Sequence, residues 1–420
     1  MKIFWIKQGP LLPLDTGGKI RTWNLLKELA KQDQLTVLSF FPSHVPVSHN
    51  GAERLFTRLI SMPVAMPKKY SLGYRLDYLR KLPSPVPYVV RQYGIPQVRE
   101  RVREVLRQEN FDVVVCDFLF PCLNLPDQLP CPQVLFAHNA ETVIWKRHFE
   151  VTRNPVWKLV TGLEYYKMRR FESLRSRVFD HVIAVSEVDR DFFAEHVPSA
   201  QLSVLATGVD LEYFRPSEAL ENPHKLVFTG SMDWLANEDA VLYFAQKILP
   251  LMFPSAPELT LTVAGRDPTE KLRQLARTDP RIRLTGTVSD VRPYTAEAAV
   301  YVLPLQVGSG TRLKVFEAMA MGKAIVSTRV GVEGLPVVSG EHLLIADEPD
   351  EFAAAVLRLL KDIPVRRRLG RAARSLVENG FGWPQVAQSF HAMLERVSET
   401  SRKSAARGIP AEAPEHIPTR

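Results

Sequence analysis

At 420 residues the chain is longer than one ordinary core organises, so two domains are the default division. Its 45% hydrophobic and 24% charged content is typical of soluble globular proteins, and no uninterrupted apolar run is long enough to cross a bilayer. A net charge of +8 calls for an acidic partner, but no RNA- or DNA-binding motif accompanies it, which disfavours nucleic acid.

The first segment, KIFWI, reads as a β-strand rather than a signal peptide, because Lys7 and Gln8 interrupt it and no small-residue cleavage site follows. D-T-G-G-K-I-R-T (15–22) then enters a helix, and the pair Gly17–Gly18 permits a tight turn close to a ligand. It is neither a Walker loop nor a G-x-G-x-x-G dinucleotide loop. LTVLSFF, FDVVVCD, PQVLFAH, HVIAVS and LSVLAT continue a set of strands, several of them apolar on both faces as a buried parallel sheet requires. The positive charge concentrates between them, in residues 67–107 and 146–177, where Arg and Lys mix with aromatic and aliphatic residues. These are either ordinary solvated helix faces or a basic, partly amphipathic surface facing anionic lipid headgroups. The cysteines Cys116, Cys122 and Cys131 are odd in number and lack CxxC spacing. That disfavours a metal site and points to a reducing, cytoplasmic setting.

Residues 215–225, polar with two prolines, read as a linker. A second strand set follows, KLVFTG, LTLTVAG, IRLTG, AVYVLPL and KAIVST, with helices expected at 236–252, 312–321 and 350–361. The fold class is therefore α/β: two Rossmann-like, doubly wound domains, 1–213 and 214–378, facing each other across a cleft. A last helix is expected at 379–398, packing back toward the first domain, and a disordered tail from 399 to 420.

The densest signal is V-G-S-G-T-R-L-K-V-F-E-A-M-A (307–320). Gly308 and Gly310 allow close backbone approach just before a helix start, which suits an anion. Arg312 and Lys314 in the first turn oppose the helix dipole unless an anion compensates them, which argues for a diphosphate. Glu317 stands alone on an otherwise apolar helix, and vicinal ribose hydroxyls would satisfy it.

This segment resembles the donor-site signature of glycosyltransferase family 4, the retaining, group 1 enzymes of the GT-B fold. By that resemblance Glu317 binds ribose, while Arg312 and Lys314 face the diphosphate. The family's second glutamate, eight residues earlier, is here Ser309, so the backbone of Gly310 and Thr311 would do more of the sugar binding. T-G-V-D-L-E-Y-F-R-P (207–216) and V-F-T-G-S-M-D-W-L-A-N-E-D-A (227–240) are similar to other family segments; in the latter Gly230, Ser231, Trp234 and Asn237 stand where many members carry an Arg and a Lys for the diphosphate, which leaves that charge to Arg312 and Lys314 and makes Gly230 and Ser231 the donor-binding candidates. The loops L-T-V-A-G-R-D-P and L-T-G-T-V-S-D-V-R-P-Y add Gly265, Arg266 and Val288 beside the base. In the first half, the resemblance sets Gly17 and Gly18 against diphosphate and acceptor. His138, in H-N-A-E at a strand's carboxyl end, is either satisfied by backbone or aimed at a sugar; the family has a sugar-contacting histidine there. Lys19, Asn139, Glu141 and Ser186, with Glu187, are the acceptor-side candidates.

The resemblance implies transfer of a sugar from a nucleotide diphosphate sugar, UDP favoured, to a glycan or lipid-linked acceptor in cell-envelope or exopolysaccharide synthesis. Anomeric configuration would be retained by front-face attack. No D-x-D pair is placed to hold Mg²⁺, so no metal or cofactor is expected. His138, Arg312, Lys314 and Glu317 are the catalytic candidates. Peripheral contact with the inner face of an anionic membrane is the expected placement. The competing readings are a nucleotide-sugar epimerase of the same fold and a non-catalytic nucleotide-sugar-binding protein; a Rossmann dehydrogenase is disfavoured by the glycine spacing.

Overall fold

Runs that are apolar on both faces become the inner strands of two separate parallel sheets, each flanked by helices. The computed structural model describes residues 1–47, 51–68, 71–126, 128–152, 154–217, 220–307 and 313–406, with side chains through Lys403. Contacts divide the chain into two units, Met1–Ala206 with Val386–Arg420, and Thr207–Gln385.

The first unit holds β1 (Lys2–Gln8), β2 (Gln34–Pro42), β3 (Arg58–Val64), β4 (Val113–Asp117), β5 (Gln133–Ala137), β6 (His181–Ala184) and β7 (Leu202–Val204). They are ordered β3-β2-β1-β4-β5-β6-β7, all neighbours parallel. Every residue of β4 and β5 is buried, because helices cover both faces. The strand order reverses between β1 and β4, which places a crevice beyond their carboxyl ends. Trp5 of β1 and Phe136 of β5 meet Phe390 at 5.6 and 5.1 Å between ring centroids. That aromatic contact anchors the Trp383–Ala406 helix to this unit.

The second unit holds β8 (Asn222–Thr229), β9 (Thr260–Ala264), β10 (Ile282–Gly286), β11 (Ala298–Leu303), β12 (Ile325–Ser327) and β13 (Leu344–Ile345), ordered β10-β9-β8-β11-β12-β13 and again parallel. Here the order reverses between β8 and β11. Phe228, Phe244, Phe316 and Phe352 lie in its core.

Four details depart from expectation. β3, Arg58–Val64, carries a proline and mixed polarity, so its short run gives no strand signal, yet it pairs with β2 throughout. β8 begins at Asn222, inside the expected linker, because Asn222 pairs with Ala298. The helix expected over 236–252 runs Leu235–Tyr243 and then passes through a wider turn at Phe244–Ile248 before Leu249–Met252. The last helix starts at Trp383, since Gly380 and Gly382 disfavour an earlier start, and it continues past Ser398 to Ala406. Residues 399–406 contain no Gly or Pro, and Arg402 pairs with Asp112. Among the described residues no helix is long and apolar enough to cross a membrane.

Candidate functional site

In the second unit the loops after β8 and β9 touch backbone to backbone. A Cβ on Gly265 would lie 1.7 Å from the Gly230 carbonyl oxygen, and Gly230 itself has φ 151°. Only glycine meets both conditions. The Gly230 N–H donates to Ala264 O (3.1 Å), Met232 N–H to Arg266 O (2.9 Å), and Arg266 Nε–H to Ser231 Oγ (2.8 Å). The two loops therefore form one braced rim, and the glycines first serve that closeness.

Lys314 joins this rim from the first turn of the Leu313–Ala320 helix. Its Nζ donates to Asn237 Oδ1 (2.7 Å) and lies 4.2 Å from the Phe228 ring centroid. A Cβ on Gly230 would sit 2.7 Å from the same Nζ, so the ammonium is pressed against the loop. Asn237 is oriented in turn by donating to Ser231 O (2.7 Å). One turn after Lys314, the half-buried Glu317 has its carboxyl pushed up to about 7 by burial, with Lys314 opposing. Beneath it, Thr229 Oγ1 and Tyr301 OH share a 2.6 Å hydrogen bond. Gly230, Ser231, Asn237, Arg266, Lys314 and Glu317 thus gather at the carboxyl ends of β8, β9 and β11, flanking the point where strand order reverses. Val288, half-buried, follows β10 at the next strand end. Gly308, Ser309, Gly310, Thr311 and Arg312 lie outside the described residues.

The first unit builds a different cluster at its own reversal point. Lys7 of β1 and Asp117 of β4 are register partners. Asp117 Oδ2 accepts from Thr22 Oγ1 (2.7 Å) and Trp5 Nε1 (3.1 Å), with Lys7 Nζ at 3.5 Å, and Oδ1 lies 2.7 Å from His138 Nε2. Burial opposes this charge, but Lys7 and His138 overcome it and hold the Asp117 carboxyl well below its usual range. Arg21 Nη1 meets His138 Nδ1 at 3.1 Å. An arginine can only donate, so Nδ1 accepts and the proton sits on Nε2, toward Asp117. Burial pushes the His138 imidazole down to about 4 despite Asp117, so it is neutral at physiological pH.

His138 is 2% exposed, and the ring of Phe118 stacks on it at 3.9 Å. Phe118 adopts φ 70°, unusual for a non-glycine residue. A Cβ on Gly18 would come within 2.6 Å of Phe118 Cζ, so the Gly17–Gly18 loop lies directly on this stack. The structure thus brings Gly18 and His138 together, with Arg21 at one ring nitrogen of His138 and Asp117 Oδ1 2.7 Å from the other.

The acceptor-side candidates scatter among structural roles. Lys19 pairs with Asp15 (2.8 Å), and Asn139 is half-buried after β5. Glu141 is buried, and desolvation, then Glu172 and Asp189, push its carboxyl up to about 8. Ser186 caps the Glu187–Ala194 helix by accepting from Asp189 N–H (3.1 Å). Glu187 pairs with Arg190. Lys7, Arg21, Thr22, Asp117 and Phe118 are the residues that sequence reasoning missed. Their one signal is a charged residue closing an apolar strand, Lys7 after KIFWI and Asp117 after VVVC. Among the described residues no group of three or more His, Cys, Asp or Glu could hold a metal ion.

Comparison with known proteins follows this geometry. A family model described as Glycosyltransferase Family 4 matches residues 16–213, and one described as Glycosyl transferases group 1 matches residues 223–362. A phosphatidyl-myo-inositol mannosyltransferase of Mycobacterium tuberculosis is 26% identical over 336 residues, covering 76% of this chain and 83% of that protein. The sucrose-phosphate synthase of Thermosynechococcus elongatus superposes with a TM-score of 0.72 at 17% identity, covering 95% of this chain and 99% of the other. Anabaena HepE, solved in complex with UDP and glucose, superposes with a TM-score of 0.65 at 14% identity, covering 94% and 99%.

Proposed function

This chain belongs to the group 1, family 4 glycosyltransferases and has the GT-B fold, and on that footing we propose that it transfers a sugar from a UDP-sugar to a glycan or lipid-linked acceptor with retention of anomeric configuration. The observation that carries this reading is Lys314. A cation in the first turn of a helix, held against the Gly230–Ser231 rim by Asn237, stands where the helix dipole favours an anion. A diphosphate there would meet the ammonium and the helix start together.

As the sugar–phosphate bond breaks, negative charge grows on the departing diphosphate. Lys314 stabilises that charge, and Arg312 is assigned the same task. Glu317, three residues on, accepts hydrogen bonds from ribose hydroxyls, which favours its ionised form. The fixed protein charges make a bound metal unnecessary for departure of the leaving group. Ser309 takes the place of a sugar-binding carboxylate, so donor hydroxyls are read by backbone N–H groups around it. The HepE complex with UDP and the mannosyltransferase relatives support a nucleotide sugar as donor. Cell-envelope or exopolysaccharide glycans are the proposed acceptor class.

A thermal-shift screen of UDP, GDP, ADP and their sugars tests the donor assignment. A ligand at 100 times its dissociation constant adds about 2.7 kcal/mol to stability. UDP and a UDP-sugar are expected to raise the melting temperature. No shift from any of these nucleotides removes the assignment. Donor consumption that yields only an isomeric nucleotide sugar, without acceptor, identifies an epimerase instead.

A further inference from the structure

The Leu72–Lys81 helix contains no buried residue. Its inner side is aromatic, with Tyr74 and Tyr78 meeting the Tyr88 ring edge-on at 5.3 and 4.9 Å. Its opposite side carries Leu72, Leu76 and Leu79, all exposed, Leu72 by 72%. Spacings of four and three put these leucines in one stripe, and the exposed Arg75 and Arg80 flank it on either side.

The Pro155–Ser176 helix repeats the pattern. It buries Glu164, Lys167, Met168 and Phe171, and leaves Val156, Leu159, Leu163 and Tyr166 exposed, Leu159 by 77%. The two helices are neighbours within the first unit. Lys167 Nζ donates to Leu82 O (2.6 Å) just past the first helix, and Tyr78 OH donates to Glu164 (3.5 Å). Scattered exposed leucines are ordinary, but an apolar stripe along each of two neighbouring helices is not.

Charge decides what covers this face. With the intervening Glu141–Val151 helix, these elements expose Arg75, Arg80, Lys146, Lys158, Arg169 and Arg170. The exposed acid among them is Glu150, 3.9 Å from Lys146. A second copy of the chain would set arginine against arginine. A bilayer with anionic headgroups accepts both components, leucines at the acyl boundary and guanidinium groups at the phosphates.

We propose that the outer face of the Leu72–Lys81 and Pro155–Ser176 helices docks the first unit onto an anionic phospholipid surface. The face shares no residue with the strand-end clusters, so vesicle binding and donor binding can fail separately. The test is flotation of the full chain with vesicles of phosphatidylglycerol and phosphatidylcholine, against pure phosphatidylcholine, without nucleotide. Binding is expected to the mixed vesicles only. It is expected to weaken as salt shortens the screening length from about 10 Å at 0.1 M to about 3 Å at 1 M. Leu76→Ser with Leu79→Ser, and separately Arg75→Glu with Arg80→Glu, are each expected to weaken binding roughly tenfold or more. Val338→Ser, at an exposed position of the second unit, is expected to change nothing. Melting curves of each variant confirm that the fold is intact. Equal binding to pure phosphatidylcholine, no binding at low salt, or wild-type binding by the leucine variant overturns the proposal. So does a dimer in sedimentation that the leucine variant dissolves, which would make the face a self-association surface.

Discussion

Replacing Lys314 by Met keeps an unbranched stem over the Phe228 ring and removes only the ammonium. In the structure that ammonium lies 2.7 Å from Asn237 Oδ1 and 4.2 Å from the ring centroid. Loss of one fixed group that stabilises developing negative charge costs about 2.7–4 kcal/mol, or roughly 10²–10³ in turnover. Folding feels less. Asn237, 7% exposed, loses a partner for its Oδ1 at a cost of about 1–3 kcal/mol. Removing a cation from the first helical turn returns about 0.3–1 kcal/mol. The net, about 1 kcal/mol, moves the melting temperature by roughly 2–4 °C. Turnover is therefore expected to fall roughly 10²–10³-fold while the melting temperature moves by only a few degrees. The assay is steady-state UDP release with the donor that gives the largest thermal shift, alongside melting curves of both proteins. A folded Lys314→Met protein with kcat/KM within about threefold of the parent refutes the placement of the diphosphate.

Burial raises the Glu317 carboxyl to about 7, so its contribution to stability is complete below the ordinary carboxylate range and is lost as pH rises through about 7. Melting of the nucleotide-free protein should fall between about pH 5 and 8, less steeply in Glu317→Gln, which should also lose affinity for UDP; equal slopes would remove Glu317 as a source. Gly265→Ala places a methyl 1.7 Å from a backbone oxygen, so urea denaturation should show a loss of about 3 kcal/mol or outright misfolding. Asp117→Asn leaves Lys7 buried without its counter-charge and should cost about 3–5 kcal/mol by the same measurement. A near-neutral result there would mean the cluster rearranges freely.

Two parallel sheets were legible from the chain alone, because runs such as VVVC and VLFA are apolar at every position and only burial on both faces explains that. β3 was not legible, since its residues alternate poorly and its place is set by pairing with β2. At the Gly230–Gly265 rim the glycine loops and Lys314 stood out, the lysine through local misfit, a cation where the helix dipole disfavours one. The role of Gly230 and Gly265 in bracing each other did not stand out, because their closeness arises from strands 35 residues apart in number (230 and 265) that lie side by side.

Sequence by itself determined the fold class and the strand-end loops, since periodicity and short-range spacing encode these directly, and the resemblance of the motifs on those loops pointed to the family. Tertiary structure alone decided the company each side chain keeps. Asp117 becomes a buried hub only because β1, β4 and the Gly17–Leu29 helix converge on it. His138 becomes a neutral, covered imidazole only because Arg21 and Phe118 arrive from distant segments. Electrostatics and desolvation depend on distances through space, and those exist only once the chain has folded.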